Sequence, residues 1–541
     1  MARQRLTWAP IRLLVLLGLF GWFPLSQDAT PALAWAGASS TDWREQARLA
    51  EANQDWETAC RLYYQLHLAD RQDAELRALF LASLRRLQQH RRHRDESYRQ
   101  RIAKLNLTQA STLASDMITR LNALHVERDK SSLQALYAAG VDELRLALGS
   151  REFRRWFIPQ ASDTQVQSFQ EQLERSWKLR SLRNATDLKR HLRDLALEAQ
   201  KQLGLNPAIA IMELASGASH SLDEYTGHVT PGQLSEDALA ALERELAGLG
   251  LVLSIQDERL IISRILPGSW AATTFLREGD RVTQLGRAVP ERLTPTLLAE
   301  LVQQVGDAPL ELSVAATPQY PARTIRLPLT HSSVVESRII ETAPAVGYIR
   351  MVTFEKNTPA ELYQAIEDLR FRGMESLILD LRGNSGGNVG VAIQLAERFL
   401  SEGVIVTTEG PALNKTFSST SGTSAYSFPV VLLVDQQTCS AAELFAGALR
   451  DHHRALLVGQ TTFGKSTISG AFPVRASLPG LPTAEAGVLR LTLARFVLPR
   501  GQAIGGVGLT PDVLEPNRER QMTLAIEHAT RALTMRPMLM E

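Results

Sequence analysis

Val430-Val-Leu-Leu-Val434 runs through Asp435-Gln-Gln-Thr438-Cys439-Ser440 directly into Ala441-Ala-Glu443-Leu-Phe-Ala-Gly-Ala-Leu-Arg450. Five apolar side chains in a row read as a strand buried on both faces, and the stretch that follows repeats apolar residues at helical spacing. A buried strand passing at once into a helix is the repeating unit of an α/β fold. The same unit recurs on either side. Ser376-Leu-Ile-Leu-Asp380-Leu enters Arg382-Gly383-Asn384-Ser385-Gly386-Gly387 and a helix from Val389 to Leu400, while Leu456-Leu-Val-Gly459 leads to Thr461-Thr462-Phe463-Gly464-Lys465. With the strand from Val346 to Met351 and the helix from Thr358 to Arg370, the pattern predicts an α/β unit over residues 346 to about 513.

Three turns then sit where open α/β sheets build their sites, at the C-terminal ends of strands. One carries glycine amides, one a serine at a helix start, one a lysine. A serine nucleophile needs a base for its proton and donors for the oxyanion that forms. Ser440 opens a helix, whose N-terminus favours developing negative charge. The amides of Ala441 and of Gly386 or Gly387 are candidate donors. Lys465, 25 residues after Ser440, is the candidate base, provided its pKa is lowered. Only 8 of the 59 basic residues are lysine. In such a chain a lysine at this turn is informative, because arginine cannot deprotonate. Two other readings compete. Ser440-Ala-Ala-Glu443 is also a helix capping box. Gly459-Gln-Thr-Thr-Phe-Gly464-Lys465-Ser466 satisfies the phosphate-loop pattern, but Thr467-Ile-Ser-Gly-Ala-Phe-Pro473 is a poor helix to follow it.

Outward from this unit, 541 residues imply roughly three or four domains. With 44% apolar and 22% charged residues the chain is neither disordered nor fibrous. A net charge of +1 supplies no global field for nucleic acid. Cys60 and Cys439 make no disulfide scaffold, and the histidines, His452-His453 included, lack ligand spacing, so no metal or other cofactor is expected. Arg3, Arg5 and Arg12, the apolar run Leu13 to Phe23 and the small-residue sites Ala32-Leu-Ala34 and Ala34-Trp-Ala36 read as a secretory signal over residues 1–36. The expected location is outside the cytoplasm, in the periplasm or cell envelope, with membrane contact only through an uncleaved signal. From Asp42 to about Leu203 the period is helical. Ala47 to Tyr64, with Asp55-Trp56 and Tyr63-Tyr64, reads either as part of a plain helical bundle or as one or two tetratricopeptide-like helix pairs, a place for an adaptor protein. Arg85 to Arg101 carries seven arginines and two histidines and reads as a solvated helix face.

After the turn-rich span 204–236 the period changes to two. Leu251 to Gln256 and Arg259 to Leu266 read as paired strands, Leu276-Arg-Glu-Gly-Asp-Arg-Val282 as a turn into another, followed by a helix from Leu293 to Val305 and a strand from Leu310 to Val314. This stretch resembles a PDZ domain in circularly permuted order. Gly248-Leu249-Gly250-Leu251 looks like the loop whose amides receive a C-terminal carboxylate while the peptide adds as a strand.

Asp380-Leu-Arg-Gly-Asn-Ser-Gly-Gly387, Ser440-Ala-Ala-Glu-Leu-Phe-Ala-Gly-Ala-Leu-Arg-Asp451, Thr462-Phe-Gly-Lys465 and Gly506-Val-Gly-Leu-Thr-Pro-Asp512 occur in that order. Together with Leu222-Asp-Glu-Tyr-Thr-Gly-His-Val-Thr-Pro231 they resemble the C-terminal processing (tail-specific) proteases, serine peptidase family S41, over about 290 residues. The resemblance implies a Ser–Lys dyad of Ser440 and Lys465, with Glu443 and Asp451 as acidic helpers. Members usually carry a glutamine four residues after the lysine, where this chain has Ser469. The residue before the serine, Cys439, reads as a small buried side chain rather than an alternative nucleophile.

The expectation is thus a multidomain protein. It has a helical region at 37–203, a linker or helical segment at 204–236 and a mainly β PDZ domain at 237–332. An α/β peptidase core occupies 333–515 and a C-terminal helix 516–541. The expected activity is that of an exported serine endopeptidase acting on protein C-termini. The alternative is a catalytically silent adaptor of PDZ domain and helical repeats, with a nucleotide-binding phosphate loop behind it.

Overall fold

The computed structural model describes residues 40–234, 246, 249–256, 259–286, 310–315, 321–327, 334–342 and 345–534. The expected signal, the helix from Leu293 to Val305 and Gly248 lie outside the described residues.

The described residues open with nine α-helices: α1 (Ser40–Ala52), α2 (Trp56–Ala69), α3 (Ala74–Arg94), α4 (Leu107–Leu124), α5 (Leu133–Leu148), α6 (Arg151–Phe157), α7 (Asp163–Gln172), α8 (Ala185–Leu203) and α9 (Pro207–Ser219). Their starts follow from side chains that accept first-turn amides, such as Asp55, Asp73, Ser132 and Asn184. Helices α1–α3 share a small core of Ala47, Ala59, Cys60, Tyr63, Leu66 and Phe80. Helix α9, inside the span expected to be a linker, is buried from Ala208 to Ser219 and packs against α4, α5 and α8.

The arginine-rich stretch corrects the expectation of a solvated face. Arg92 and His93 are 1% and 0% exposed. Arg92 reaches Glu143 on α5 and Glu213 on α9, each at 2.8 Å, and Arg85 reaches Glu143 at 2.6 Å. Residue type alone cannot reveal this, because the carboxylates that permit burial lie 51 and 121 positions away.

Strand β1 (Gly227–Val229) leads into the PDZ-like stretch. There β2 (Leu251–Gln256) pairs with β3 (Arg259–Ile265), and β4 (Val282–Leu285), β5 (Leu310–Val314) and β6 (Arg323–Leu327) form a second small sheet. The two share a core of Leu251, Leu253, Leu260, Ile262, Val282, Leu312 and Val314. The outer edge of β2 pairs with no strand among the described residues.

The remainder comprises β7 (Val335–Ile340), β8 (Val346–Met351), α10 (Thr358–Phe371), β9 (Ser376–Asp380), α11 (Val389–Phe399), β10 (Gly403–Glu409), β11 (Lys415–Ser419), β12 (Val430–Val434), α12 (Ala441–Asp451), β13 (Ala455–Gly459), β14 (Thr467–Ala476), β15 (Ala484–Val497), β16 (Val513–Leu514) and α13 (Arg518–Thr534). One sheet has the order β16-β13-β12-β9-β8-β7, parallel except for β7. Its strands are buried on both faces: α10–α12 cover one, and Ala525 and Ala529 of α13 pack on the other. A second, antiparallel sheet, β1-β15-β10-β11 with β14 on β15, carries the helical region on residues such as Val474, Leu489 and Leu491. The segment after Lys465 is therefore strand β14, not the helix a phosphate loop must enter. Among the described residues no helix is long and apolar enough to cross a membrane.

Candidate active site

Ser440 lies where β12 hands over to α12, at φ 55° and ψ −115°. A side chain in this backbone region is strained, by about 1–3 kcal/mol, and such strain persists only where surrounding structure imposes it. The imposing groups are identifiable. Cys439 N–H donates to Asn384 O at 2.9 Å, and Ser440 N–H donates to Glu443 Oε2 at 2.8 Å. The glycine turn after β9 presses on the same spot. A Cβ on Gly386 would lie 2.7 Å from Cys439 O and 3.0 Å from both Ala441 N and Ser440 Cβ. At Gly387, φ 137°, it would lie 2.4 Å from Phe354 O.

That packing narrows the choice of oxyanion donors. Gly386 N–H is committed to Asn384 Oδ1 at 2.9 Å. The Gly387 and Ala441 amides donate no hydrogen bond among the described residues, so these two remain candidates.

Glu443 joins the serine turn to the lysine turn. Its carboxylate is fully buried and accepts four hydrogen bonds: Thr462 Oγ1 at 2.5 Å and Gly464 N–H at 2.6 Å on Oε1, Lys465 N–H and Ser440 N–H at 2.8 Å each on Oε2. The two candidate catalytic residues thus hang by their amides from one oxygen atom. Burial pushes the Glu443 carboxyl above its ordinary range, and the four donors only partly oppose it.

Burial likewise holds Lys465 below the usual lysine value of 10.5. Cys439, Arg490, Glu224 and Asp223 act on it more weakly, and its Nζ stands 4.6 Å from the centre of the Tyr225 ring. The shift is in the direction a general base requires. Burial pushes the Cys439 thiol well above its ordinary range, so a thiolate does not compete.

The other candidates lie elsewhere or are differently engaged. Asp451 is at the far end of α12, about 15 Å along the helix axis, where it accepts from Arg450 Nη2 at 2.9 Å and Arg500 N–H at 3.1 Å. Ser469 faces Thr492 across the β14–β15 pair, and its buried hydroxyl has no hydrogen-bond partner among the described residues, the Lys465 amine included. In the PDZ-like stretch Leu249 N–H turns inward to Leu246 O at 2.9 Å, Leu251 pairs with Ile265, and Gly250 sits at φ 76° against Ser269. Asn384, Thr462 and Tyr225 lie inside the sequence motifs, but nothing in the sequence assigns them a role. Their signal was position in those motifs, and their contacts required coordinates.

Residues 345–514 match Peptidase family S41. The chain is 29% identical over 304 residues to carboxyl-terminal-processing peptidase 2, chloroplastic, of Arabidopsis thaliana, covering 54% of this chain and 57% of that protein. It is 31% identical over 274 residues to the carboxyl-terminal-processing protease of Synechocystis sp., covering 50% and 62%. The match thus spans about six-tenths of the length of these two relatives. Among solved structures it is similar to the photosystem II D1 C-terminal processing protease, at 21% identity, a TM-score of 0.37, and coverage of 75% of this chain and 93% of that one.

Proposed function

We propose that this chain, which carries a Peptidase family S41 domain at residues 345–514, is a serine endopeptidase working through Ser440 and Lys465. The observation that carries the reading is the Glu443 carboxylate, which accepts the amides of both residues and so locks the serine turn to the lysine turn. A helix cap alone accounts for the Ser440 amide but not for the three donors from Thr462, Gly464 and Lys465.

In the proposed route the neutral amine of Lys465 takes the proton of Ser440 as Oγ attacks a peptide carbonyl. The negative charge that develops on the carbonyl oxygen is met by the amides of Ala441 and Gly387. As the tetrahedral species collapses, the protonated lysine returns its proton to the departing amine. Water, deprotonated by the same lysine, then hydrolyses the ester on Ser440. The edge of β2 that pairs with no strand among the described residues supports capture of an extended C-terminal segment by strand addition, and the basic, then apolar, N-terminal stretch supports export.

The test is cleavage of an unfolded reporter with an apolar C-terminal tail, run beside labelling with a serine-directed fluorophosphonate. Cleavage and labelling are expected to vanish together in Ser440→Ala. A reporter that binds but is never cut by the wild-type chain would instead establish the adaptor.

A further inference from the structure

The catalytic turns are not completed by the peptidase domain alone. Helices α2 and α3 are joined by Asp70-Arg71-Gln72-Asp73, a tight tip in which Asp70 Oδ1 accepts Gln72 N–H at 3.2 Å and Asp73 Oδ1 accepts Glu75 N–H at 2.8 Å. From this tip the Arg71 side chain reaches 391 positions along the sequence. Its Nη1 donates to Thr462 O at 3.0 Å and to Phe463 O, and its guanidinium carbon lies 5.6 Å from the Phe463 ring centre.

The turn from Thr461 to Ser466 is irregular and owes its shape to partners outside itself. Glu443 takes the Gly464 and Lys465 amides, Leu509 O the Thr462 amide at 3.1 Å, Thr438 O the Phe463 amide at 2.9 Å, and Gly506 N–H donates to Gly464 O at 2.8 Å. The carbonyls of Thr462 and Phe463 receive no donor from the peptidase domain among the described residues; Arg71 alone donates to them there. The same hairpin is tied down beside the site by Arg77, which lies 3.4 Å from Glu224, and it brings Tyr64 within electrostatic reach of Cys439 and Glu224.

We propose that Arg71 is a positioning residue of this catalytic apparatus: the helical region clamps the lysine-bearing turn through the two carbonyls that the peptidase domain leaves to it. The inference rests on Lys465 serving as the base. The clamp acts through the turn and touches no substrate. By keeping the hairpin seated it also keeps water from an amine whose surroundings are Asp223, Glu224, Tyr225, Cys439 and Arg490.

The experiment compares full-length Arg71→Ala, Arg71→Lys and, as a control on the hairpin without the turn contact, Arg91→Ala, which loses the Arg91–Glu57 pair at 3.7 Å between α3 and α2. Steady-state kinetics over pH are measured with a reporter peptide, and Lys465 acetylation by trace acetic anhydride is read over pH by peptide mass spectrometry. Arg71→Ala is expected to lower kcat at least tenfold with KM within twofold. The acid limb of kcat/KM should move to higher pH, because a better hydrated ammonium holds its proton more tightly. Lys465 should acetylate several-fold faster at high pH. Arg71→Lys, which restores a charged nitrogen without the planar guanidinium, should recover part of the loss, and Arg91→Ala should keep kcat within about twofold. An unchanged acid limb and unchanged Lys465 acetylation in Arg71→Ala overturn the clamp, as does a loss confined to KM. The acetylation readout stands whether or not the chain cuts any peptide. Absence of Ser440-dependent cleavage in the wild type overturns the peptidase reading, while unaltered acetylation overturns the clamp.

Discussion

The helical region and the peptidase core each bury a glutamate completely, and they do so in opposite ways. Glu213 on α9 is met by Arg92 at 2.8 Å, His93 at 3.1 Å and the Tyr98 hydroxyl at 2.8 Å. Burial alone would raise its pKa, but the charges of Arg92 and His93 more than reverse that and hold it far below the usual carboxylate range. Glu443 on α12 has four N–H and O–H donors and, among the described residues, no ion pair, and burial keeps its pKa raised. The first arrangement compensates charge with charge and resembles a rivet between three helices. The second holds two loops by dipoles, beside a Lys465 amine whose burial favours loss of its proton. Equal burial of the same residue type therefore does not imply the same role; the partners decide.

The largest effect expected is loss of turnover, by about a thousandfold or more, in Ser440→Ala, with the thermal midpoint changed by only a few degrees. Ser440→Gly should be equally inactive yet more stable than Ser440→Ala, because glycine accepts φ 55° without strain; calorimetry decides. Lys465→Arg should be as damaging as Lys465→Ala, about a hundredfold or more in kcat, since a guanidinium keeps its proton; retained activity in the arginine variant would remove lysine from the role of base.

The opposite profile is expected in the helical region. Arg92→Ala leaves Glu143 and Glu213 buried without their main counter-charge and should cost about 3–5 kcal/mol in denaturant titration, with kcat per folded molecule preserved. Acid should strike the same region. Burial lowers His228 from 6.5 to about 4, so the unfolded chain binds the proton first, and stability falls as pH drops through that window. That histidine alone should cost about 2 kcal/mol by pH 5, an effect abolished in a His228→Gln variant that folds. The smallest of these effects is Glu443→Gln. It keeps the shape but replaces one acceptor by a donor facing N–H groups, and should cost about 1–2 kcal/mol of stability with a tenfold to hundredfold loss in kcat. If Glu443→Gln instead behaved like Arg92→Ala, the distinction between rivet and loop tie would collapse.

How much was legible varied with how local the cause was. Strand β12 and helix α12 could be placed because five apolar residues followed by helical spacing leave little alternative, and the strand after Lys465 was foreseen from β-branched residues with Gly470 and Pro473. Lys465 stood out by residue type. The roles of Asp451 and Ser469 came from resemblance; the structure places Asp451 at the far end of its helix from Ser440 and leaves the Ser469 hydroxyl without a hydrogen-bond partner among the described residues. The fate of Gly386 was illegible for another reason: both glycines are permissive, and only the Asn384 carboxamide distinguishes their amides.

Local order along the chain, then, determined the strand and helix units, the three turns and the residue types able to do acid–base chemistry, because those depend on neighbours a few positions away. The tertiary structure alone decided which arginines are buried, that the Gly386 amide is engaged by Asn384, and that Arg71 of a helical hairpin hydrogen-bonds to the lysine turn. The first and last of these depend on groups dozens to hundreds of positions apart, and burial or compensation of a charge is a property of the completed environment, which no stretch of sequence carries by itself.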